Sequence, residues 1–126
     1  MEILLDTNFV ITCAKQKIDF ESIVNGMTDE EIKWIVPDEV LRELRGLRLS
    51  KGKGLDAKSI DLAIKMIQNI SYSVVKLSDS SSDVDTKIAN YVKDKSIILA
   101  TLDKGLKVRV GNRILTVRGK KGLEII

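Results

Sequence analysis

Asp6 interrupts the apolar stretch ILLDTNFVI, residues 3–11. An isolated ionised carboxylate in a dry core is costly, so it must be capped, paired or bound to a cation. Three further acids stand beside apolar segments in a comparable way: Glu43 in EVLREL, Asp85 in VDTKIANYV and Asp103 in ATLDKGLK. The chain has no histidine. That removes Ser-His-Asp and Cys-His triads, His-ligated zinc and imidazole acid–base chemistry. Catalysis would have to rest on carboxylates, hydroxyls, lysines or a metal held by oxygen. The single cysteine, Cys13, excludes an intrachain disulfide and a multi-cysteine metal site. It reads as a small core filler in an apolar helical stretch, and a reducing, cytoplasmic setting is expected.

The elements that must position these acids follow from the pattern of apolar residues. Residues 2–5, 33–36, 73–77, 97–100, 114–117 and 123–126 read as strands. Residues 8–16, 19–25, 55–69, 104–110 and a stretch after Asp83 reaching about Asp94 read as helices. Another helix starts at Pro37, whose φ suits a first turn, with Asp38 and Glu39 beside its dipole. Val40, Leu44 and Leu47 carry that helix's apolar face. Residues 50–54 read as a flexible basic loop and 78–83 as a polar loop ending in a helix cap. Strand alternating with helix predicts a single α/β domain over residues 1–126. Its apolar strands lack period-two alternation and so imply a mostly parallel sheet covered on both faces, an α/β/α sandwich. The tail TVRGKKGLEII is expected to complete the sheet or pair with another copy. At 126 residues the chain can bury a real core, and no apolar run suits a membrane span or a secretory signal.

Open parallel sheets place their ligand site at the carboxyl ends of the strands. Asp6 follows the first strand and Asp103 follows ILA. Glu43 is expected to share the inward side of Val40 and Leu47. Asp85 is expected at the top of the buried stripe of Ile88, Ala89 and Val92. Each acid has a plainer explanation: a helix cap or dipole partner for Asp6, Asp85 and Asp103, a surface ion pair with Arg42 or Arg45 for Glu43. Together, four acids at one end of a sheet would repel one another unless a counter-charge joined them. Mg²⁺ or Mn²⁺, which prefer carboxylate and water oxygens, supply it. Net charge is +3, and the bases cluster. Arg42, Arg45, Arg48, Lys51, Lys53 and Lys58 lie mid-chain, and Lys104, Lys107, Arg109, Arg113, Arg118, Lys120 and Lys121 fill the last quarter. Such patches suit a polyanion.

The phrases LLDTN, EVLREL, VDTKIANYV and ATLDKGLK, in this order over about residues 3–118, resemble the PIN-domain ribonucleases. The resemblance is nearest to the branch of the PIN endonuclease of the eukaryotic small-subunit processome and its archaeal relatives. It implies Asp6, Glu43, Asp85 and Asp103 as acids binding one or two Mg²⁺ or Mn²⁺ ions, and endonucleolytic cleavage of RNA. Asn8 and Thr101 match supporting polar positions that orient a carboxylate or a water. Glu39 and Asp83 are the neighbouring rivals of Glu43 and Asp85. Implied products carry a 5′-phosphate and a 3′-hydroxyl. Lys104 and Lys107 would neutralise flanking phosphates, and Arg42, Arg45, Arg48, Lys51 and Lys53 would track RNA further out. Implied partners are single-stranded or structured rRNA, ribosomal or pre-ribosomal particles and a second copy of the chain, in rRNA processing. The zinc-ribbon cysteines of some ribosome-maturation relatives are missing here. The competing readings are a catalytically silent RNA-binding scaffold, a toxin of a toxin–antitoxin pair and a response-regulator receiver. The last fits poorly, because one Asp followed by Thr-Asn ends the first strand.

Overall fold

The computed structural model describes residues 1–52, 54–77 and 83–126. The elements run β1 (Glu2–Leu5), α1 (Thr7–Gln16), α2 (Phe20–Met27), β2 (Lys33–Pro37), α3 (Asp38–Lys51) and α4 (Leu55–Gln68). They continue as β3 (Tyr72–Val75), α5 (Val84–Val92), β4 (Ile97–Ala100), α6 (Lys104–Arg109), β5 (Ile114–Arg118) and β6 (Gly122–Ile125). One sheet has the order β3-β2-β1-β4-β5-β6. Its first five strands pair in parallel, and β6 returns antiparallel along β5. The expected mostly parallel α/β domain is the fold observed, and the tail completes the sheet.

Successive side chains of a strand point to opposite faces, so β1, β2, β4 and β5 each feed two cores. On one face Ile3, Leu5, Trp34, Val36, Ile98, Ala100 and Leu115 pack with Phe9, Val10, Phe20, Leu44 and Ile67 from α1 to α4. The rings of Phe9, Phe20 and Trp34 meet edge to face, at 5.8 and 5.2 Å between successive centroids. On the other face Leu4, Ile35, Ile97, Leu99 and Ile114 pack with Ile88, Val92 and Leu106 of α5 and α6. Cys13 is fully buried in the first core, and burial pushes its thiol up to about 12, which leaves it inert at neutral pH.

Three elements depart from expectation. The third strand spans Tyr72–Val75, and Leu77 leaves the ladder to be buried, its N–H donating to Glu39 Oε1 at 3.4 Å. This strand lies at the sheet edge with Tyr72, Ser73 and Val74 exposed, because it has β2 on one side only. Helix α3 absorbs Ser50 and Lys51, expected in a loop, and ends at Gly52, whose φ of 66° suits glycine. Helix α5 stops at Val92, two residues short of Asp94, which itself has φ 59°. Lys53 and residues 78–82 of the two expected loops lie outside the described residues. Among the described residues no helix is long and apolar enough to cross a membrane.

Leu99 is fully buried between β1 and β5, and its truncation leaves a cavity that the sheet cannot close. Leu99→Ala should lower the unfolding free energy by about 2–5 kcal/mol in urea titrations. Val74→Ala, at a residue 53% exposed on the edge strand, should stay within about 0.5 kcal/mol of wild type.

Candidate active site

Strand order reverses around β1. The chain runs from β1 outward through β2 to β3, then returns to the other side of β1 as β4. The carboxyl ends of β1 and β4 therefore flank the switch point, the place where open α/β sheets have their ligand crevice. Asp6 is the first residue beyond β1. Its N–H donates to Ala100 O at 3.0 Å, extending the ladder by one bond before the chain turns into α1. Its side chain is the N-cap of that helix: Oδ1 accepts the Thr7 N–H at 2.9 Å, and Oδ2 accepts the Thr101 hydroxyl at 2.7 Å. Both oxygens are thus satisfied although the residue is only 5% exposed. Burial holds the carboxyl above the usual range; the bonds from Thr101 and Thr7 pull it down, and the charges of Glu43 and Asp103 push it up.

Thr101, fully buried after β4, ties the two turns together. Its single hydroxyl proton goes to Asp6, and its oxygen accepts the Asp103 N–H at 3.2 Å. Asn8 completes the tie: its Oδ1 accepts the Leu102 N–H at 3.0 Å. Asp103 caps α6, with Oδ1 accepting the Leu106 N–H at 3.0 Å. A Cβ at position 105 would stand 3.2 Å from that oxygen, so Gly105 leaves the cap its room.

Asp85 lies in the first turn of α5. Its carboxyl is pushed up to about 6, first by burial and then by the charges of Asp6, Asp103 and Asp83, and a hydrogen bond with Asp103 adds to the rise. Asp83 instead caps α5. It accepts the Asp85 N–H at 3.2 Å and the Thr86 hydroxyl at 2.7 Å, and stands 3.9 Å from the Arg109 guanidinium. The Thr86 bond is the main cause that lowers its carboxyl below the usual range. Glu39 similarly has a local task, accepting the Leu77 N–H. Glu43 corrects the expectation of an inward position. It is exposed, because the buried stripe of α3 runs through Val40 and Leu44, and Glu43 sits beside that stripe. Its Oε1 nonetheless reaches the crevice, accepting the Thr7 hydroxyl at 2.7 Å.

Thr7 therefore joins Glu43 to the Asp6 turn, a role that the sequence reading missed. The only signal was a hydroxyl residue at the first helical position after an Asp cap. The bases are less concentrated on the acids than their sequence clustering suggested. Arg42 pairs with Asp38 one turn back on α3. Arg48 bonds Asp61 Oδ1 and Gly52 O, each at 2.5 Å. Lys107 donates to Thr116 Oγ1 at 2.9 Å, and Arg45, Lys51 and Lys104 are exposed. Lys53 lies outside the described residues.

The charges that bear on Asp6 and Asp85 are all negative, and among the described residues no ion pair joins Asp6, Glu43, Asp85 or Asp103 to a Lys or Arg. By donor chemistry the set fits Mg²⁺ or Mn²⁺, hard ions that take carboxylate oxygen. Among the described residues no three acids form a ready-made cage. A magnesium site does not require one, since that ion commonly keeps several waters and takes one or two carboxylates.

Residues 3–120 match the family model described as PIN like domain. Ribonuclease VapC4 of Methanocaldococcus jannaschii is 32% identical over 130 residues, spanning 98% of this chain and 95% of that protein. Among solved structures, the PIN domain endonuclease Utp24 superposes with a TM-score of 0.77 at 23% identity, over 98% of this chain and 90% of that one. A domain of a functionally unknown protein from Methanocaldococcus jannaschii superposes at 0.62 and 20% identity, over 99% and 97% of the two chains. These two likenesses concern the fold. The family match covers nearly the whole chain, including all four acids of the crevice, and the chain belongs to the PIN-like domain family.

Proposed function

We propose that this chain is a metal-dependent endoribonuclease that hydrolyses RNA phosphodiesters at Asp6, Glu43, Asp85 and Asp103, in rRNA processing or ribosome-associated RNA metabolism. The carrying observation is the mutual repulsion at the β1/β4 crevice, where Asp6 and Asp85 are held above their ordinary carboxyl range by burial and by other acids. A site arranged this way is worse off empty than filled with a dication. The relative named a ribonuclease, matched nearly end to end, supports RNA as the substrate. The rRNA setting rests on the processome-like motifs of the sequence.

Asp6, Glu43, Asp85 and Asp103 would hold Mg²⁺ or Mn²⁺. When bound, such an ion supplies Lewis-acid charge at the scissile phosphate and acidifies water. The chain's own residues provide the positioning. Thr7 N–H and Thr101 fix both oxygens of Asp6 in one orientation. The Thr7 hydroxyl fixes Glu43, and Asn8 locks the β1 turn against the β4 turn. Helix capping fixes one oxygen of Asp103, and a hydrogen bond ties its carboxyl to Asp85. Water attacks phosphorus in line, the P–O3′ bond breaks, and the products carry a 5′-phosphate and a 3′-hydroxyl. Lys104, exposed at the start of α6, would neutralise a flanking phosphate.

Three outcomes are expected. Asp6→Asn should abolish cleavage of single-stranded RNA in Mn²⁺ while retaining RNA binding by fluorescence anisotropy. A variant that cuts as well as wild type defeats the assignment, and a wild type that binds but never cuts points to a silent scaffold. Thr101→Val, which loses the bond to Asp6 Oδ2, should lower activity by about 10–100-fold, as loss of a group that orients a metal ligand does. The third outcome concerns metal-free stability. The folded carboxyl of Asp85 lies near 6, above the ordinary 3.8, so the folded state binds the proton more tightly between those values. Its contribution to stability is most favourable below that window and falls as the pH rises through about 6. Asp85→Asn should flatten this dependence and raise the thermal midpoint at neutral pH without metal, while reducing cleavage.

A further inference from the structure

The acidic crevice has an electrostatic problem that its own residues do not solve: it repels the polyphosphate chain it would cut. Cations must hold RNA nearby, and the most numerous along the chain are not all available. Arg42 and Arg48 of α3 are engaged by Asp38 and Asp61. The β5–β6 connection offers another set. Residues 118–121 read Arg-Gly-Lys-Lys, three cations in four positions with no acid among them. All four are exposed, and among the described residues neither Lys120 nor Lys121 is in an ion pair. Arg118 has one partner, Glu124 at 3.5 Å, in a pair whose arginine is 76% exposed and screened by solvent.

Topology puts this tip at the active end of the sheet. β5 is parallel to β4, and Leu115 pairs with Ala100, the last residue before Thr101. Arg118 is three residues further along, roughly 10 Å beyond that level at about 3.3 Å per residue. The tip therefore projects past the same carboxyl edge from which Asp6 and Asp103 emerge, one strand away from β4. Arg113, before the first residue of β5, lies at the opposite edge.

The tip is also built rather than loose. Arg118 pairs with Gly122 across the antiparallel ladder. Gly119 has φ 66°, and a Cβ at position 122 would stand 2.8 Å from Arg118 O, so the turn needs glycine at both places. At its root, Lys107 of α6 donates to Thr116 Oγ1 and fixes α6, which Asp103 caps, against β5. A rigid hairpin thus presents unpaired ammonium groups at a set position beside the acids.

We propose that the β5–β6 hairpin tip, through Arg118, Lys120 and Lys121, grips the phosphate backbone of single-stranded RNA and delivers it to the acidic crevice. This rests on the reading of the crevice as a site for RNA. The test measures binding of a fluorescein-labelled oligouridylate by anisotropy across a salt series, with Asp6→Asn in every protein to prevent cleavage. Lys120→Gln/Lys121→Gln should weaken binding and flatten the slope of log affinity against log salt by about 0.7 for each cation lost, about 1.4 together. Lys120→Arg/Lys121→Arg should restore both. Arg113→Gln, a charge lost at the far end of the same strand, should leave the slope unchanged. The proposal is overturned if the double Gln variant keeps the wild-type slope, or if Arg113→Gln flattens it equally per charge. If the slopes behave as expected but the protein with Asp6 intact never cleaves RNA, the tip stands and the nuclease reading falls.

Discussion

Like charge confined at one end of a parallel sheet is the constraint on which this molecule turns. Asp6 is nearly inaccessible, yet it is placed where Glu43, Asp85 and Asp103 all bring negative charge towards it. Water cannot screen such a group well, and low local polarisability strengthens repulsion as much as attraction. Part of the cost is met by hydrogen bonds: both Asp6 oxygens accept, and Asp103 and Glu43 each accept one bond from fixed donors. The remaining unfavourable charge stays in the native state, visible in the raised carboxyls of Asp6 and Asp85. A site that is electrostatically unfavourable by itself is a common cost of function.

Capping and site chemistry are not alternatives here. Asp6, Asp83 and Asp103 are all helix N-caps, and a capping explanation would be sufficient for each alone. Capping, however, uses a defined oxygen and fixes the side-chain torsions. For Asp6 the second oxygen is held by Thr101 from β4, a partner 95 residues away in sequence. The Asp103 carboxyl in turn hydrogen-bonds Asp85 of α5. The helix N-termini add partial positive charge beside the acids, which softens their repulsion within the first turn. Asp83 is the useful contrast. It caps in the same way, but Thr86 and Arg109 draw its carboxyl outwards and lower its affinity for protons, while Asp85 two residues later turns towards the other acids.

What could be read from the residues divides along physical lines. Strands buried on both faces are apolar at every position, so β1, β2 and β4 were plain, and the position of Asp6 and Asp103 followed from where those strands end. Edge strands obey no such rule, and β3 came out shifted and exposed. Helical faces were the weakest inference. A residue three from one apolar position and four from another can still lie beside the stripe, as Glu43 does, because the stripe is only as wide as its packing partners. Ion pairing was equally hidden. Arg42 and Arg48 read as bases of a run suited to RNA, with Glu43 as the partner weighed for Arg42, whereas an i−4 acid on the same helix and Asp61 on α4 engage them. Thr7 was passed over because a hydroxyl in a first helical turn has many uses, and its partner comes from an element 36 residues on.

The separation of acids from bases follows from the same constraint. A cation side chain placed inside the crevice would neutralise the acids permanently and compete with any metal. Cations placed far away would be useless, since exposed charges are largely screened beyond about 8 Å at physiological salt. The workable region is a rim around the crevice, close enough to act on a phosphate chain and displaced enough to leave the carboxylates unpaired. The sheet supplies such a rim, because its five parallel strands all end at one edge and each connection there can carry its own charge. Lys104 at the start of α6 and the β5–β6 turn would occupy it, beside the acids that follow β1 and β4. A parallel sheet with a strand-order switch thus sets the sideways spacing between the acids after β1 and β4 and the β5–β6 turn at about one or two strand spacings of roughly 4.8 Å each, and the overhang of β5 past β4 adds to it along the strand; both are fixed by backbone hydrogen bonds rather than by the side chains themselves.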